Sequence, residues 1–139
     1  MEKCCTNLPM VFPLHPRTKK SLEKHNLSDK FMRINNLIYT NSLGYLDFMK
    51  LLSKSKIVIT DSGGIQEETT FLQVPCITVR ENTERPITIE MGNNELIKLD
   101  TELISKRMEQ KVRNNQKGTI PHLWDGHATE RILGILLNC

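Results

Sequence analysis

One stretch of the 139-residue sequence places a hydroxyl, two glycines and two carboxylates directly behind an apolar run. It reads Lys-Ile-Val-Ile-Thr-Asp-Ser-Gly-Gly-Ile-Gln-Glu-Glu over residues 56–68. A buried strand that turns at Gly63 and Gly64 into a helix leaves the backbone amides of the first helical turn unpaired. Those amides and the helix dipole attract anions, and Ser62 adds a hydroxyl donor. The pattern therefore predicts a phosphate site at these three residues.

The same stretch also admits a purely structural interpretation. Asp61 and Ser62 are both good helix caps, so a plain strand-turn-helix joint explains the pattern equally well. The spacing matches neither the dinucleotide-binding G-x-G-x-x-G motif nor the P-loop. Glu67 and Glu68 would repel a phosphate if both faced it, so at least one is expected to point elsewhere. A carboxylate beside a phosphate site is better suited to the hydroxyls of a sugar.

A second polar stretch, Arg80-Glu-Asn-Thr-Glu-Arg-Pro86, follows the apolar run Cys76–Val79. Ligands of open α/β sheets bind beyond the carboxyl ends of the strands, which places this stretch beside a ligand site. Guanidinium groups bind phosphate, but they also pair with neighbouring carboxylates. A solvated charged loop is therefore the alternative interpretation. The candidate residues are Arg80, Thr83, Glu84 and Arg85.

Three aromatic or imidazole side chains are weaker candidates. His15 follows the apolar run Met10–Leu14, and only this position at a strand end distinguishes it, because a lone histidine is more often structural. Tyr45 and Phe48 lie three residues apart in an apolar helical pattern, which is typical of core residues.

Alternating strand-length and helix-length patterns separate these candidates. Apolar runs rich in Val, Ile and Leu predict parallel strands at Met10–Leu14, Leu37–Thr40, Lys56–Thr60, Cys76–Val79 and Glu95–Leu99. Helical patterns lie at Tyr45–Lys54, from Gly63-Gly64 through Phe71, around Leu22 behind a Thr18 cap, at Glu102–Val112 and at Ala128–Leu137. The alternation predicts right-handed βαβ units in an open, doubly wound α/β fold, a Rossmann-like parallel sheet with flanking helices.

Composition and charge argue against several classes of protein. The formal net charge of +3 comes from scattered basic residues, which disfavours a nucleic-acid partner. No apolar run approaches the roughly 20 residues of a membrane span. No Cys-x-x-Cys spacing occurs, and His122 and His127 lack neighbouring ligands, so we expect no metal site. The cysteines are expected to be reduced thiols of a cytoplasmic protein; they are Cys4, Cys5, Cys76 and Cys139.

Five motifs together resemble UDP-N-acetylglucosamine 2-epimerases, in the non-hydrolysing branch. They are Pro-Leu-His-Pro-Arg-Thr, Gly-Tyr-Leu-Asp-Phe, Thr-Asp-Ser-Gly-Gly-Ile-Gln-Glu-Glu, Val-Pro-Cys and Asn-Thr-Glu-Arg-Pro. The resemblance extends from Met10 through the Trp124-Asp-Gly-His-Ala128 segment to Ile132. It implies a GT-B fold, in which substrate lies between two Rossmann-like lobes, and a role in cell-envelope polysaccharide biosynthesis.

The resemblance also implies roles for individual residues. The diphosphate is expected at Ser62, Gly63 and Gly64, the ribose at Glu68, and the uracil beside Phe48. Arg85 is expected to shape the phosphate end of the cleft. His15 matches a position associated with a second, activating molecule of UDP-N-acetylglucosamine. The family eliminates UDP to give 2-acetamidoglucal and then adds it back, which inverts C2 and needs no redox cofactor.

The resemblance further implies that residues 1–139 form a single partial domain, the UDP-binding C-terminal lobe. The N-terminal lobe with the key carboxylates, the catalytic His-Arg motif and the first, central strand of this lobe are expected to be absent. No catalytic residue is therefore predicted here, and the isolated chain is expected to bind UDP weakly and not to epimerise UDP-N-acetylglucosamine. A homodimer is implied for the full-length family. The alternatives are a glycosyltransferase-like nucleotide-sugar protein and a non-catalytic UDP-sugar binding module.

Overall fold

The structure is a computed structural model that describes residues 2, 4, 5, 8–114 and 117–138. The strands are β1 (Met10–Leu14), β2 (Leu37–Asn41), β3 (Val58–Thr60), β4 (Cys76–Thr78) and β5 (Asn94–Leu96). The helices are α1 (Pro16–Lys24), α2 (Ser28–Met32), α3 (Tyr45–Lys54), α4 (Gly63–Leu72), α5 (Ile87–Glu90), α6 (Thr101–Asn114) and α7 (Ala128–Leu136). All five predicted strands and all five predicted helices are present, which confirms the α/β fold class.

The described strands form two separate parallel sheets. One has the order β1-β2, with Met10 opposite Leu37, and the other has the order β3-β4-β5. In the second sheet Thr60 of β3 lies opposite Thr78 of β4, so these neighbouring strands end at the same edge. The expected absence of a further, central strand of this lobe stays a prediction.

The sheet of β3, β4 and β5 has a packed core on both faces. On one face Ile77, with none of its surface exposed, packs with Ile97, Ile104 and Met108, which brings α6 against the sheet. On the other face Leu52, Val58, Val74 and Cys76 join α3 and α4 to the strands. Burial on both faces explains why these strands read as continuous apolar runs in the sequence.

The sheet of β1 and β2 is much less covered. Val11 of β1 and Ile38 and Tyr39 of β2 are all exposed, while Phe31 of α2 is buried and contacts the rings of Phe12 and Tyr39. The helix α7 is exposed too, with Ile135 at 65% and Leu136 at 66% of their surface accessible.

Two short helices were not predicted from the sequence, and one predicted cap is wrong. α2 and α5 are only five and four residues long, too short to show a helical period. The N-cap of α1 is His15 rather than Thr18. Pro16 explains the earlier start, because its fixed φ and missing N–H suit the first position of a helix.

A backbone contact anchors the segment that follows α6. A Cβ placed on Gly118 would lie 2.5 Å from the carbonyl carbon of Gly92, so only glycine fits there. The Thr119 amide donates to the Met91 carbonyl at 2.7 Å, and the Gln73 side chain donates to the Gly118 carbonyl at 3.2 Å. The chain leaving this contact leads to Trp124.

Cys4, Cys5 and Cys76 are buried free thiols, and burial raises the pKa of Cys5 and Cys76. Cys139 lies outside the described residues. Within the described part of the chain, none of the helices combines the length and the apolar character that a membrane span requires.

Candidate functional site

The candidate site is the corner where β3 and β4 end and α4 begins. Because Thr60 and Thr78 are partners in parallel strands, the turn at Asp61-Ser62 and the loop of residues 79–86 leave the sheet at the same edge. The structure therefore brings together the two polar stretches that the sequence places about 20 residues apart. The carboxyl edge of a parallel sheet is where α/β proteins bind ligands.

The N-terminus of α4 is not capped by a side chain. Ser62 occupies the N-cap position with an extended backbone, but its hydroxyl makes no capping hydrogen bond. Its own amide donates to the Thr60 hydroxyl at 3.0 Å. Ser62 and Gly64 are exposed, so the hydroxyl and the first helical turn face solvent. The alternative interpretation of a self-capped joint through Ser62 is therefore not what the structure shows.

A carboxylate lies close to Gly63, the first residue of α4. The Oε1 atom of Glu84 is only 2.7 Å from the position a Cβ on Gly63 would occupy. Arg80 holds the other oxygen at 3.0 Å. A hydrogen bond from its own backbone, and then the charges of Arg80 and Arg85, keep the pKa of Glu84 below its usual value. Glu84 thus places a negative charge at the start of α4, where a phosphate would have to displace it.

Arg85 reaches the same helix from the other polar stretch. Its Nε atom lies 2.9 Å from a Glu67 carboxylate oxygen, with 37% and 42% of the two side chains exposed. This ion pair explains how two adjacent carboxylates are tolerated beside an anion site, since one of them is neutralised. The contact is an ion pair without a hydrogen bond, because the buried Arg85 Nε atom has no hydrogen-bond partner within the described residues. The guanidinium also carries N–H donors on its two terminal nitrogens, and these can serve a ligand.

A buried polar cluster lies beneath the loop that carries Arg85. Within it Gln66, Thr78 and Thr88 have no exposed surface, and Asn94 is 5% exposed. The Gln66 Oε1 atom accepts from the Thr83 hydroxyl at 2.7 Å and from the Asn94 amide at 3.2 Å. Asn94 in turn accepts from the Thr78 hydroxyl at 2.7 Å. This cluster was not predicted, because threonine and glutamine carry no periodicity signal in the sequence.

An open cleft of about 380 Å³ adjoins the corner along α4. Glu68 lines it, as the predicted contact to a ribose requires. The other lining residues are Tyr45, Met49, Glu67, Phe71 and Trp124. Tyr45 is 64% exposed, so its interpretation as a core residue was wrong: it lies at the first turn of α3, beyond the packed face.

Phe48 and His15 lie apart from the uncapped helix start. Phe48 is half-buried and packs against the core cluster of Leu52 and Val58, so its predicted place beside uracil stays a prediction. His15 caps α1 by accepting a hydrogen bond from the Arg17 amide at 3.2 Å. This capping bond gives His15 a structural role, and its association with a second ligand molecule also stays a prediction.

The family comparison connects this geometry to known proteins. The model of the UDP-N-acetylglucosamine 2-epimerase family matches residues 1–137. The chain belongs to this family. The UDP-N-acetylglucosamine 2-epimerase of Methanocaldococcus jannaschii is 41% identical over 127 residues, which make up 91% of this chain and 34% of that protein. The chain thus spans about a third of the length of the curated relatives it matches.

Solved epimerase structures share the fold. The Methanocaldococcus jannaschii enzyme, crystallised in complex with UDP-GlcNAc and UDP, superposes with a TM-score of 0.81 at 39% identity and covers 93% of this chain. The Neisseria meningitidis enzyme bound to UDP-GlcNAc superposes with a TM-score of 0.77 at 30% identity. This chain corresponds to 35% of each of those chains. The predicted Rossmann-like part of a GT-B epimerase fold is thereby confirmed.

Proposed function

We propose that this chain is the UDP-binding part of an enzyme that interconverts UDP-GlcNAc and UDP-ManNAc. The observation that carries the proposal is the uncapped start of α4 at Gly63, facing a loop that supplies Arg85, in a member of this epimerase family. Backbone amides, a free serine hydroxyl and a guanidinium together provide the donors that a diphosphate requires.

In the proposed complex, the diphosphate takes the place of the Glu84 carboxylate over Gly63. The amides of the first turn and the Ser62 hydroxyl donate to its oxygens, and Arg85 adds charge-assisted hydrogen bonds. Glu68, in the adjoining cleft, accepts from the ribose hydroxyls. Such donors stabilise UDP both when bound and when it departs as a leaving group, which suits an elimination and re-addition reaction.

The chemical step is proposed to require groups outside this chain. No candidate for removing the C2 proton stands among the predicted site residues, and the chain spans about a third of its relatives. We therefore propose that residues 1–139 bind UDP and UDP-GlcNAc but do not convert UDP-GlcNAc to UDP-ManNAc. A homodimer of the full-length protein and a cytoplasmic location are part of the same proposal.

Titration calorimetry with UDP tests the binding proposal. Gly64→Asp adds a negative charge at the start of α4 without a steric clash, since nothing lies within 4 Å of a Cβ there. We expect UDP affinity to fall at least tenfold, a loss of about 1.4 kcal/mol. The matched control is Gly134→Asp in α7, where a Cβ is equally unobstructed and affinity should not change. Equal affinities of wild type and Gly64→Asp would refute the site.

A turnover assay tests the proposed inactivity of the isolated chain. UDP-GlcNAc incubated with the chain should yield no UDP-ManNAc, because the chain binds the leaving group without supplying the proton transfers. Sustained formation of UDP-ManNAc would show that the catalytic groups are present after all. UDP binding combined with transfer of the sugar to an acceptor would instead support the glycosyltransferase alternative.

A further inference from the structure

The backbone of Arg85 is held at both of its polar groups. Its amide donates to the Thr83 hydroxyl at 3.0 Å, and its carbonyl accepts from the Thr88 hydroxyl at 2.8 Å. Each of these two hydroxyls also makes a hydrogen bond to a buried side-chain amide group. Thr83 donates to the Gln66 Oε1 atom, and Thr88 accepts from the Asn94 amide at 3.1 Å.

These contacts close into a ring through one atom. The Asn94 amide that reaches Thr88 also donates to the Gln66 Oε1 atom, where the Thr83 hydroxyl arrives from the other side. Every hydroxyl in the ring donates once and accepts once, so the ring fixes the orientation of both side-chain amides. A fully buried side chain of α4 thereby sets the position of the loop above it.

The ring leaves one donor of Gln66 without a partner. Its Nε2 atom is buried and makes no hydrogen bond within the described part of the chain. A buried unsatisfied donor lowers stability, so the glutamine amide nitrogen carries a cost for the fold. The glutamine oxygen, by contrast, accepts from both Thr83 and Asn94 and so links α4 to the loop that carries Arg85.

We propose that Gln66 is a positioning residue that holds Arg85 against the start of α4, where it meets the diphosphate of the ligand. This inference rests on the proposed function, since it requires that Arg85 contacts the diphosphate. Gln66 itself acts only through Thr83, Asn94 and the Arg85 backbone. One buried side chain thus holds together the two stretches, distant in sequence, that form the proposed phosphate site.

A double-mutant cycle tests the proposal by UDP titration of the 139-residue chain. Thr83→Val removes the hydroxyl that links Gln66 to the Arg85 amide, at a half-buried position that tolerates the change. We expect UDP affinity to fall about tenfold, as when a charge-assisted hydrogen bond is lost. In the Arg85→Ala background the same substitution should change affinity less than about twofold, because its effect passes through Arg85.

Two further measurements separate positioning from general damage. Gln66→Met should weaken UDP binding as Thr83→Val does, while affinity for uridine, which lacks phosphate, stays within about twofold of wild type. The control is Thr40→Val in β2, whose hydroxyl donates to the neighbouring Asn41 carbonyl, and it should leave UDP affinity unchanged.

Specific outcomes overturn the inference. An equal loss of UDP affinity from Thr83→Val with and without Arg85, or a parallel loss of uridine and UDP binding, would show a purely structural role. Wild-type affinity in Gln66→Met would also refute it. Absence of UDP binding by the wild-type chain would instead overturn the proposed function, and this inference with it.

Discussion

The helices α1 and α4 both start directly behind a strand, yet their N-termini differ in what they offer a ligand. At α1 the His15 side chain accepts a backbone hydrogen bond and Pro16 contributes no N–H. At α4 the Ser62 side chain makes no cap, and two glycines follow it. One start is closed by its own residues, and the other is open. We therefore expect a strand-turn-helix joint to bind a ligand where its cap is left unmade.

The sheets behind the two helices differ in how completely their side chains are buried. Ile77 of β4 is fully buried between α6 and the layer of α3 and α4, whereas Ile38 of β2 is 53% exposed. The open helix start thus rests on the part of the molecule with the most complete core. A rigid support lets exposed donors keep their geometry before the ligand arrives.

The largest expected effect tests the difference between the sheets. Ile77→Ala should lower the free energy of unfolding by about 2–5 kcal/mol, because it leaves a cavity in a closed core. Ile38→Ala, the same change at a half-exposed position, should cost less than about 1 kcal/mol. Urea unfolding followed by circular dichroism measures both. Similar losses in the two variants would contradict the conclusion that the two sheets are unequally packed.

A pair of substitutions compares the two helix starts. His15→Ala should lower the free energy of unfolding by about 1 kcal/mol, since a cap is lost, and leave UDP affinity within twofold. Ser62→Ala should do the reverse. It should weaken UDP binding about three- to tenfold without destabilising the fold, because the Ser62 hydroxyl caps nothing. Thermal unfolding and UDP titration of each variant measure the two effects. A loss of stability in Ser62→Ala would show that the Ser62 hydroxyl does cap α4.

The smallest expected effect concerns the carboxylate above Gly63. Glu84→Gln should tighten UDP binding about threefold at pH 7, because a phosphate then displaces no charge. Glu81→Gln, which removes an exposed carboxylate paired with Lys98, is the matched control and should have no effect.

The pH dependence of that comparison has a defined sign. The pKa of Glu84 is lowered, so its carboxylate is ionised throughout the neutral range. The affinity ratio of Glu84→Gln to wild type should be constant while Glu84 is ionised and approach one only as the pH falls through its lowered pKa. A ratio that grows on acidification would exclude competition between Glu84 and the phosphate.

The sequence predicted the elements well, and it predicted their mutual contacts poorly. Apolar runs located all five strands, although only the sheet of β3, β4 and β5 is packed on both faces, where a continuous apolar signal is expected. Ser62, Gly63 and Arg85 were found because they follow strand ends. The position of Glu84 over Gly63 and the ring through Gln66 depend on how two loops pack, which neither period nor spacing encodes. Tyr45 was misplaced because a helical stripe does not show where the packed face ends.

The contact of Gly118 with Gly92 makes the shape of the proposed binding cleft depend on a part of the chain far from α4 in sequence. The segment beyond it carries Trp124 to the wall of the cleft, and no other residue type fits at position 118. A single added methyl there would push this segment outward and widen the cleft at a distance from any ligand contact. Loss of uridine affinity in such a variant, with the start of α4 unchanged, would show that Gly118 positions the segment that carries Trp124 to the cleft.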